Sequence, residues 1–378
     1  MSAPVAESDV AIIGGGLMGA SSAFFLRQRG ISVTLLETDK VGRQASGTNF
    51  GNVRRQGRPI GQLPLANRAI RIWRQASELL GSDVEYLQSG HMRVCFRDQP
   101  DTVGRMEDYA RAARAEGLEL ELLSGNALRA RYPWLGPEVL AGSLSPSDGH
   151  ANPRLAAPAF ARAAVRQGAR LFEDTRIAHV TRLAEGFELE AEDGRRFRAP
   201  VVLVTAGAWA GGIAAQLGET ARITPRAPTM SVTEPVPYAI APAMGVMTSR
   251  EVESVYFRQV ARGNIVIGGS TRAPSYPDLY RAYVLPENTM TQFHHLRRMA
   301  PALARLNVIR VWTGIEGYTD DDLPVMGPSP TVPGLFHAFG FSGSGFQIGP
   351  GVGETMAELI ATGTTDIALE DYSIARFG

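Results

Sequence analysis

Three glycines near the start of the chain, Gly14, Gly16 and Gly19, constrain the fold more than any other feature. They stand between an apolar run, Val10-Ala11-Ile12-Ile13, and a helical pattern opening at Leu17 and Met18. A second apolar run, Val33-Thr34-Leu35-Leu36, ends in Glu37 and Thr38. Strand, glycine turn, helix, second strand and acidic terminus in this register predict a dinucleotide-binding βαβ unit. The first glycine permits the tight turn, the second lets the backbone approach a pyrophosphate, and the third lets the helix pack on the strand. The helix then faces the phosphates with unpaired N–H groups. Glu37 can accept hydrogen bonds from both hydroxyls of an adenosine ribose, which disfavours a 2′-phosphate. FAD or NAD is expected, and NADP is not.

A chain of 378 residues with 44% hydrophobic content can bury a substantial core and suggests two domains. Lysine plus arginine (38) equal aspartate plus glutamate (38), so no net field recruits nucleic acid or an anionic membrane. Lysine is very scarce, and arginine supplies almost all the positive charge. The single cysteine, Cys95, excludes an internal disulfide and a four-cysteine metal site. No charged segment with an apolar core precedes Val10, and no apolar stretch reaches spanning length. A cytoplasmic protein without membrane insertion is expected.

Periodicity predicts an amphipathic helix from Leu65 to Leu80, a strand from Tyr86 to Phe96, and helices near Asp101 to Glu116 and Ala156 to Gln167. Strands follow near Arg170 to Phe172 and Phe187 to Glu192. The run Val201-Val-Leu-Val-Thr-Ala-Gly-Ala-Trp209 then returns the chain to the nucleotide sheet. Unbroken β-branched residues suit a strand buried on both faces, and Ala206-Gly207 lets the backbone approach a cofactor. Between Thr224 and Leu306, short strands such as Ser254–Arg258 and Asn264–Gly268, punctuated by Pro and Gly, predict a mostly antiparallel substrate domain. The segment Gly334 to Gly353 places a strand, a glycine-rich loop and a helix opening in sequence. Such a loop offers several N–H groups to one ligand, and the helix adds its positive end. A flavin needs this near N1 and O2, where negative charge accumulates on reduction.

In order along the chain, the Gly14–Glu37 unit, Ala45-Ser46-Gly47, Thr205-Ala206-Gly207-Ala208-Trp209, Gly314 to Gly327 and Gly340 to Gly353 carry a family resemblance. The sequence resembles the D-amino-acid oxidase, glycine oxidase and sarcosine oxidase superfamily over nearly its whole length. Val53-Arg-Arg-Gln-Gly57, Gln62 to Asn67 and Gly314 to Thr319 look most like the β subunits of heteromeric opine oxidases and hydroxyproline dehydrogenases. The resemblance implies an α/β fold: a Rossmann-like FAD-binding domain of the glutathione-reductase type and a mostly antiparallel α+β substrate domain, interleaved. The FAD-binding domain would take residues 1–84, 145–222 and 307–378, and the substrate domain 85–144 and 223–306.

The activity implied is FAD-dependent oxidation of a C–N bond, with hydride passing from the α-carbon of a neutral amine to flavin N5. The imine then hydrolyses. An opine such as octopine or nopaline would give an amino acid and a 2-keto acid. Two enzyme alternatives are a stand-alone glycine, sarcosine or D-amino-acid oxidase and a D-hydroxyproline dehydrogenase β subunit, while a flavin-binding subunit without turnover is the non-enzyme alternative. Partners implied are a larger subunit and a small iron–sulfur protein, and noncovalent FAD is joined by an open question of FMN at a subunit interface.

By the same resemblance Gly14, Gly16, Leu17, Met18, Gly19, Glu37 and Thr38 hold the ADP half. Ser46, Gly47, Gly51, Asn52 and Val53 pass along pyrophosphate and flavin, Ile177 meets the adenine, and Gly207 and Trp209 sit beside the cofactor. Gly314 and Gly343, Ser344, Gly345, Phe346 and Gln347 border the flavin. Gly314 stands where monomeric sarcosine oxidases carry a flavin-linking Cys, so covalent attachment there is impossible. Gln347 replaces their carboxylate-binding Lys, and Glu316 replaces the Arg of glycine oxidases. A carboxylate substrate would need other cations, for which Arg54, Arg55 and Arg258 are candidates. Tyr256 could orient the substrate, and Glu316 could meet a cationic end such as a guanidinium. His294-His295 reads as a surface pair, and Asp320-Asp321-Asp322 as a capped loop; no metal is expected.

Overall fold

The computed structural model describes residues 6–378. Its central sheet has six strands in the order Val325–Pro328, Leu335–Phe339, Val201–Val204, Val10–Ile13, Val33–Leu36, Arg170–Phe172. Neighbours are parallel except the first pair, which is antiparallel. Three distant stretches of chain thus return to one sheet. Side chains alternate across it: Val10 and Ile12 join one core cluster with the helices, whereas Ala11 and Ile13 join another with Val202, Val204, Phe187 and Phe197. This two-sided burial is why these strands read as unbroken apolar runs. A smaller sheet, ordered Ala6–Glu7, Arg196–Ala199, Phe187–Ala191, Ile177–Arg182, supplies the second cluster.

The helix Leu17–Gln28 packs between Pro153–Arg166 and the C-terminal helix Gly345–Thr362, which also contacts Leu63–Arg74. The continuous helix expected to Leu80 breaks at Gln75, whose φ of −116° leaves the helical range, and resumes as Ala76–Leu80. The strand expected from Tyr86 starts at His91, because Glu85 (φ 52°) and Gly90 (φ 77°) turn the chain first.

An eight-stranded sheet forms the other body, in the order Val308–Thr313, Thr229–Pro235, Asn264–Gly269, Val255–Gln259, Ala243–Val246, His91–Phe96, Val139–Ser145, Glu121–Ser124. Every pairing is antiparallel except Ala243–Val246 with His91–Phe96. Val308–Thr313 belongs here by its pairing with Thr229–Pro235, so a boundary at 307 falls before the last strand of this sheet. Among the described residues no helix is long and apolar enough to cross a membrane.

Candidate active site

A cavity of about 810 Å³ lies where the carboxyl ends of the parallel strands face the eight-stranded sheet. That is the position at which open α/β sheets bind ligands. Gly14 turns there with φ 111°, and a Cβ on it would strike the backbone of Thr205. Gly19 lies behind the wall, where a Cβ would meet the Gly14 carbonyl, so its role is to let helix and strand close together. Glu37 points into the cavity with Oε2 accepting from the Gly15 N–H (2.6 Å) and Oε1 from the Asp39 N–H (2.9 Å). Burial pushes its carboxyl above the usual range, and those two N–H bonds oppose the shift. Ser46 Oγ accepts from Leu17 N–H (2.8 Å), fixing the short helix Ala45–Thr48 to the start of the first long helix. Gly207 (φ 55°) has open space where a side chain would stand.

The other end of the cavity is lined by Gly51, Asn52, Tyr256, Glu316 and the loop Gly343 to Gln347. Tyr318, two residues after Glu316 on the strand Glu316–Tyr318, donates its hydroxyl to Glu316 Oε2 (2.7 Å), and Arg272 Nε donates to the Tyr318 oxygen (2.8 Å). Burial pushes the Glu316 carboxyl up, opposed by the Tyr318 hydroxyl and Arg272. Tyr256 is edge-on to Phe50 at 4.7 Å between centroids, and burial raises its hydroxyl too.

Arg54, Arg58 and Arg93 also line the cavity. Among the described residues none of them pairs with an acid: Asp148, the nearby carboxylate, is taken by the Arg55 side chain and by the N–H groups of Arg55 and Gln56. Arg58 bonds to oxygens of Arg54, Gln62 and Ser344. Burial, with Arg54 as neighbour, lowers Arg58 to about 9 and Arg93 to about 10. Uncompensated guanidinium groups gathered in a cleft are a binding site for an anion.

The dinucleotide motif and the loop 343–347 bracket one and the same cavity. The DAO family, described as FAD dependent oxidoreductase, matches residues 9–359. The chain belongs to the DAO family. It is an FAD-dependent oxidoreductase. Along its length it is similar to the glycine oxidase of Geobacillus kaustophilus (strain HTA426), 28% identical over 97% of both chains. It is likewise similar to an opine oxidase subunit from Rhizobium meliloti, 28% identical over 98% of both. Among solved structures, L-proline dehydrogenase from P. horikoshii superposes with a TM-score of 0.90 at 27% identity, covering 98% of each chain.

The cavity fits the family's cofactor. Asn52 Oδ1, Arg54 Nη1 and Gln347 Oε1 are buried at its wall without a partner among the described residues. The helix Gly345–Thr362 opens toward it with no side-chain cap among the described residues. Gly14, Gly16, Leu17, Met18, Glu37, Thr38, Ser46, Ile177 and Trp209 line the stretch that would hold the ADP half, and Gly51, Asn52 and Gly343 to Gln347 the flavin half. Cys95 is buried in another cluster, away from this wall.

Several candidates stand elsewhere. Gly47, Val53 and Gly314 do not line the cavity: Gly47 and Gly314 admit close approach of Gly42 and Thr48, and Val53 is core. Arg258 is no free cation for a substrate. Its Nε donates to the Phe50 carbonyl (2.8 Å), Nη1 lies 3.3 Å from His150 Nδ1, and the group rests over the Phe50 ring. Arg55 is held by Asp148. The Gln347 amide donates to the Ala66 carbonyl (2.9 Å). Of the histidine pair only His294 is exposed; His295 is buried beside Leu296 and Gln292 on the inner face of Pro286–Met299. Sequence reasoning missed Arg58, Arg93, Arg272 and Tyr318. Strand alternation could have found Arg93, since Met92 and Val94 face the core while His91 and Arg93 face the cavity.

Proposed function

We propose that this enzyme oxidises the C–N bond of an N-substituted amino acid, with an opine such as octopine or nopaline as first choice. The observation that carries the reading is the trio Arg54, Arg58 and Arg93, cationic, acid-free and lining the cavity that fits FAD. An opine brings two or more carboxylates to such a wall. When bound, FAD supplies the acceptor for the hydrogen and electron pair leaving the carbon beside nitrogen. The arginines hold the carboxylates, Tyr256 orients the chain between them, and Glu316 faces the nitrogen. Fixing the carbon against the acceptor is the protein's main contribution. The imine product would hydrolyse to an amino acid and a 2-keto acid. Similarity over its length to subunits of opine oxidases supports a cytoplasmic heteromer with a larger subunit and a small iron–sulfur subunit, and with FMN at their interface. The single, buried Cys95 leaves cluster ligands to the partner.

Anaerobic mixing of the purified yellow protein with octopine, nopaline, D-hydroxyproline, sarcosine and glycine tests this. Bleaching by an opine is expected. The similarity to a glycine oxidase favours a second reading, stand-alone oxidation of a small amino acid. Bleaching by glycine or sarcosine alone would establish that one and end the opine assignment.

A further inference from the structure

We infer that Arg272 and Tyr318 are positioning residues for Glu316, and that Glu316, so held, takes the proton a substrate amine sheds as its C–N bond is oxidised. The second half rests on the amine-oxidation reading above; the first does not.

Period-two geometry puts Glu316 and Tyr318 on one side of their strand. An arginine donates but cannot accept, so the Arg272 Nε–H bond to the Tyr318 oxygen leaves the tyrosine's one proton for Glu316 Oε2. Arg272 is fixed in turn by Glu251, 2.5 Å from Nη1. The loop seals the pair: a Cβ on Gly343 would stand 3.0 Å from the Tyr318 hydroxyl and 3.5 Å from Glu316 Oε2. Glu316 Oε1 has no protein donor among the described residues and is the atom left for a ligand. The charged and titratable groups around this carboxylate are Tyr318, Arg272, Glu251, Tyr256 and Arg226, the last lying over the Tyr318 ring.

An amino-acid amine is an ammonium at neutral pH, and its lone pair must be free to form C=N. The N–H bond breaks and an O–H bond forms on Glu316. FAD, when bound, would accept the C–H hydrogen with its electron pair, and the nitrogen lone pair closes the C=N bond. Other carboxylates on the cavity wall are unsuited: Glu37, Asp39 and Glu192 cluster with Ile177 and Arg176 at the ribose end, and Glu251 is tied to Arg272. His91 is buried beside Arg54 and Arg93, which oppose its protonation.

The test pairs two readouts on the FAD-loaded protein. Infrared titration without substrate follows the carboxylic-acid band that Glu316→Gln removes. Stopped-flow flavin reduction by whichever panel amine bleaches the protein follows the acid limb of the rate. The two midpoints should coincide, and Tyr318→Phe and Arg272→Gln should move both upward by about one pH unit, since each removes a group that favours the carboxylate. Glu316→Gln should remove the limb at that midpoint and leave only the ionisation of the substrate ammonium itself, at higher pH. Midpoints unmoved in both variants would overturn the positioning role, and an acid limb that keeps the wild-type midpoint in Glu316→Gln would overturn the proton-acceptor role. Should no panel amine bleach the flavin, the amine reading fails with the acceptor role, while the infrared shift still decides the positioning role.

Discussion

Arg93 illustrates how one side chain can be structural by position and functional by surroundings. It sits mid-strand in His91–Phe96, yet among the described residues no side-chain partner is found for its guanidinium, and the Arg54 guanidinium comes to the same glycine, Gly57. Two cations held together without an anion raise each other's energy, a cost recovered when a carboxylate enters. Arg93→Leu is therefore expected to raise the dissociation constant of a carboxylate substrate by about tenfold to hundredfold, the value of a charged hydrogen bond. Equilibrium titration of the flavin spectrum with a non-oxidised analogue would measure it; an unchanged constant would remove Arg93 from the binding wall. Gly14 and Gly19 were legible in the sequence because the tight turn and the close helix–strand packing demand them, and Glu37 because it ends the second strand of the motif. The arginine trio was not, since thirty-eight cationic residues are spread through this chain and only tertiary pairing separates them. In sequence Arg258 and Arg55 stand on the same footing as Arg54; in the fold Phe50 and His150 occupy Arg258, and Asp148 occupies Arg55.

The helix Gly345–Thr362 links the site to the core through its glycines. A Cβ on Gly349 would press on Leu17, one on Gly351 on Leu65 and Ala69, and one on Gly353 on Ser21, so the helix is clasped by Leu17–Gln28 and Leu63–Arg74 at backbone distance. Its first turn carries Gly345, Phe346 and Gln347, which border the flavin end of the cavity. Gly351→Val should cost about 1–3 kcal/mol through overpacking and loosen FAD as the first turn is displaced. Thermal melts with and without added FAD would register both effects, and an unaltered melt would mean the contact can yield. The element order was legible here because strand, loop and helix carry different periodicities. The break at Gln75 was not: the apolar stripe from Leu65 to Leu80 continues across it, and only the backbone departs from helix.

At the scale of the whole molecule, the central six-stranded sheet and the eight-stranded sheet meet across a seam of buried, charge-sensitive groups. His150, on Gly149–His150 beside Asn52–Val53, meets Arg258 from the eight-stranded sheet, and His91, on that sheet, lies near Arg54. Burial beside Arg258 lowers His150 from 6.5 to about 3, and His91 is lowered well below its usual value by burial and by Arg54 and Arg93. Both are neutral in the fold. Between 6.5 and the depressed folded value the unfolded chain binds protons that the native chain refuses, so stability present above 6.5 is lost as pH falls. The loss is about 1.4 kcal/mol per pH unit for each histidine. Urea midpoints should drop between about pH 7 and about pH 5 by more than surface carboxylates alone explain, and His150→Asn should reduce that slope. Because the seam borders the cavity, FAD should escape over the same acid range, seen as free-flavin fluorescence rising with the loss of stability. A slope identical in wild type and His150→Asn would mean that the seam opens by some other titration.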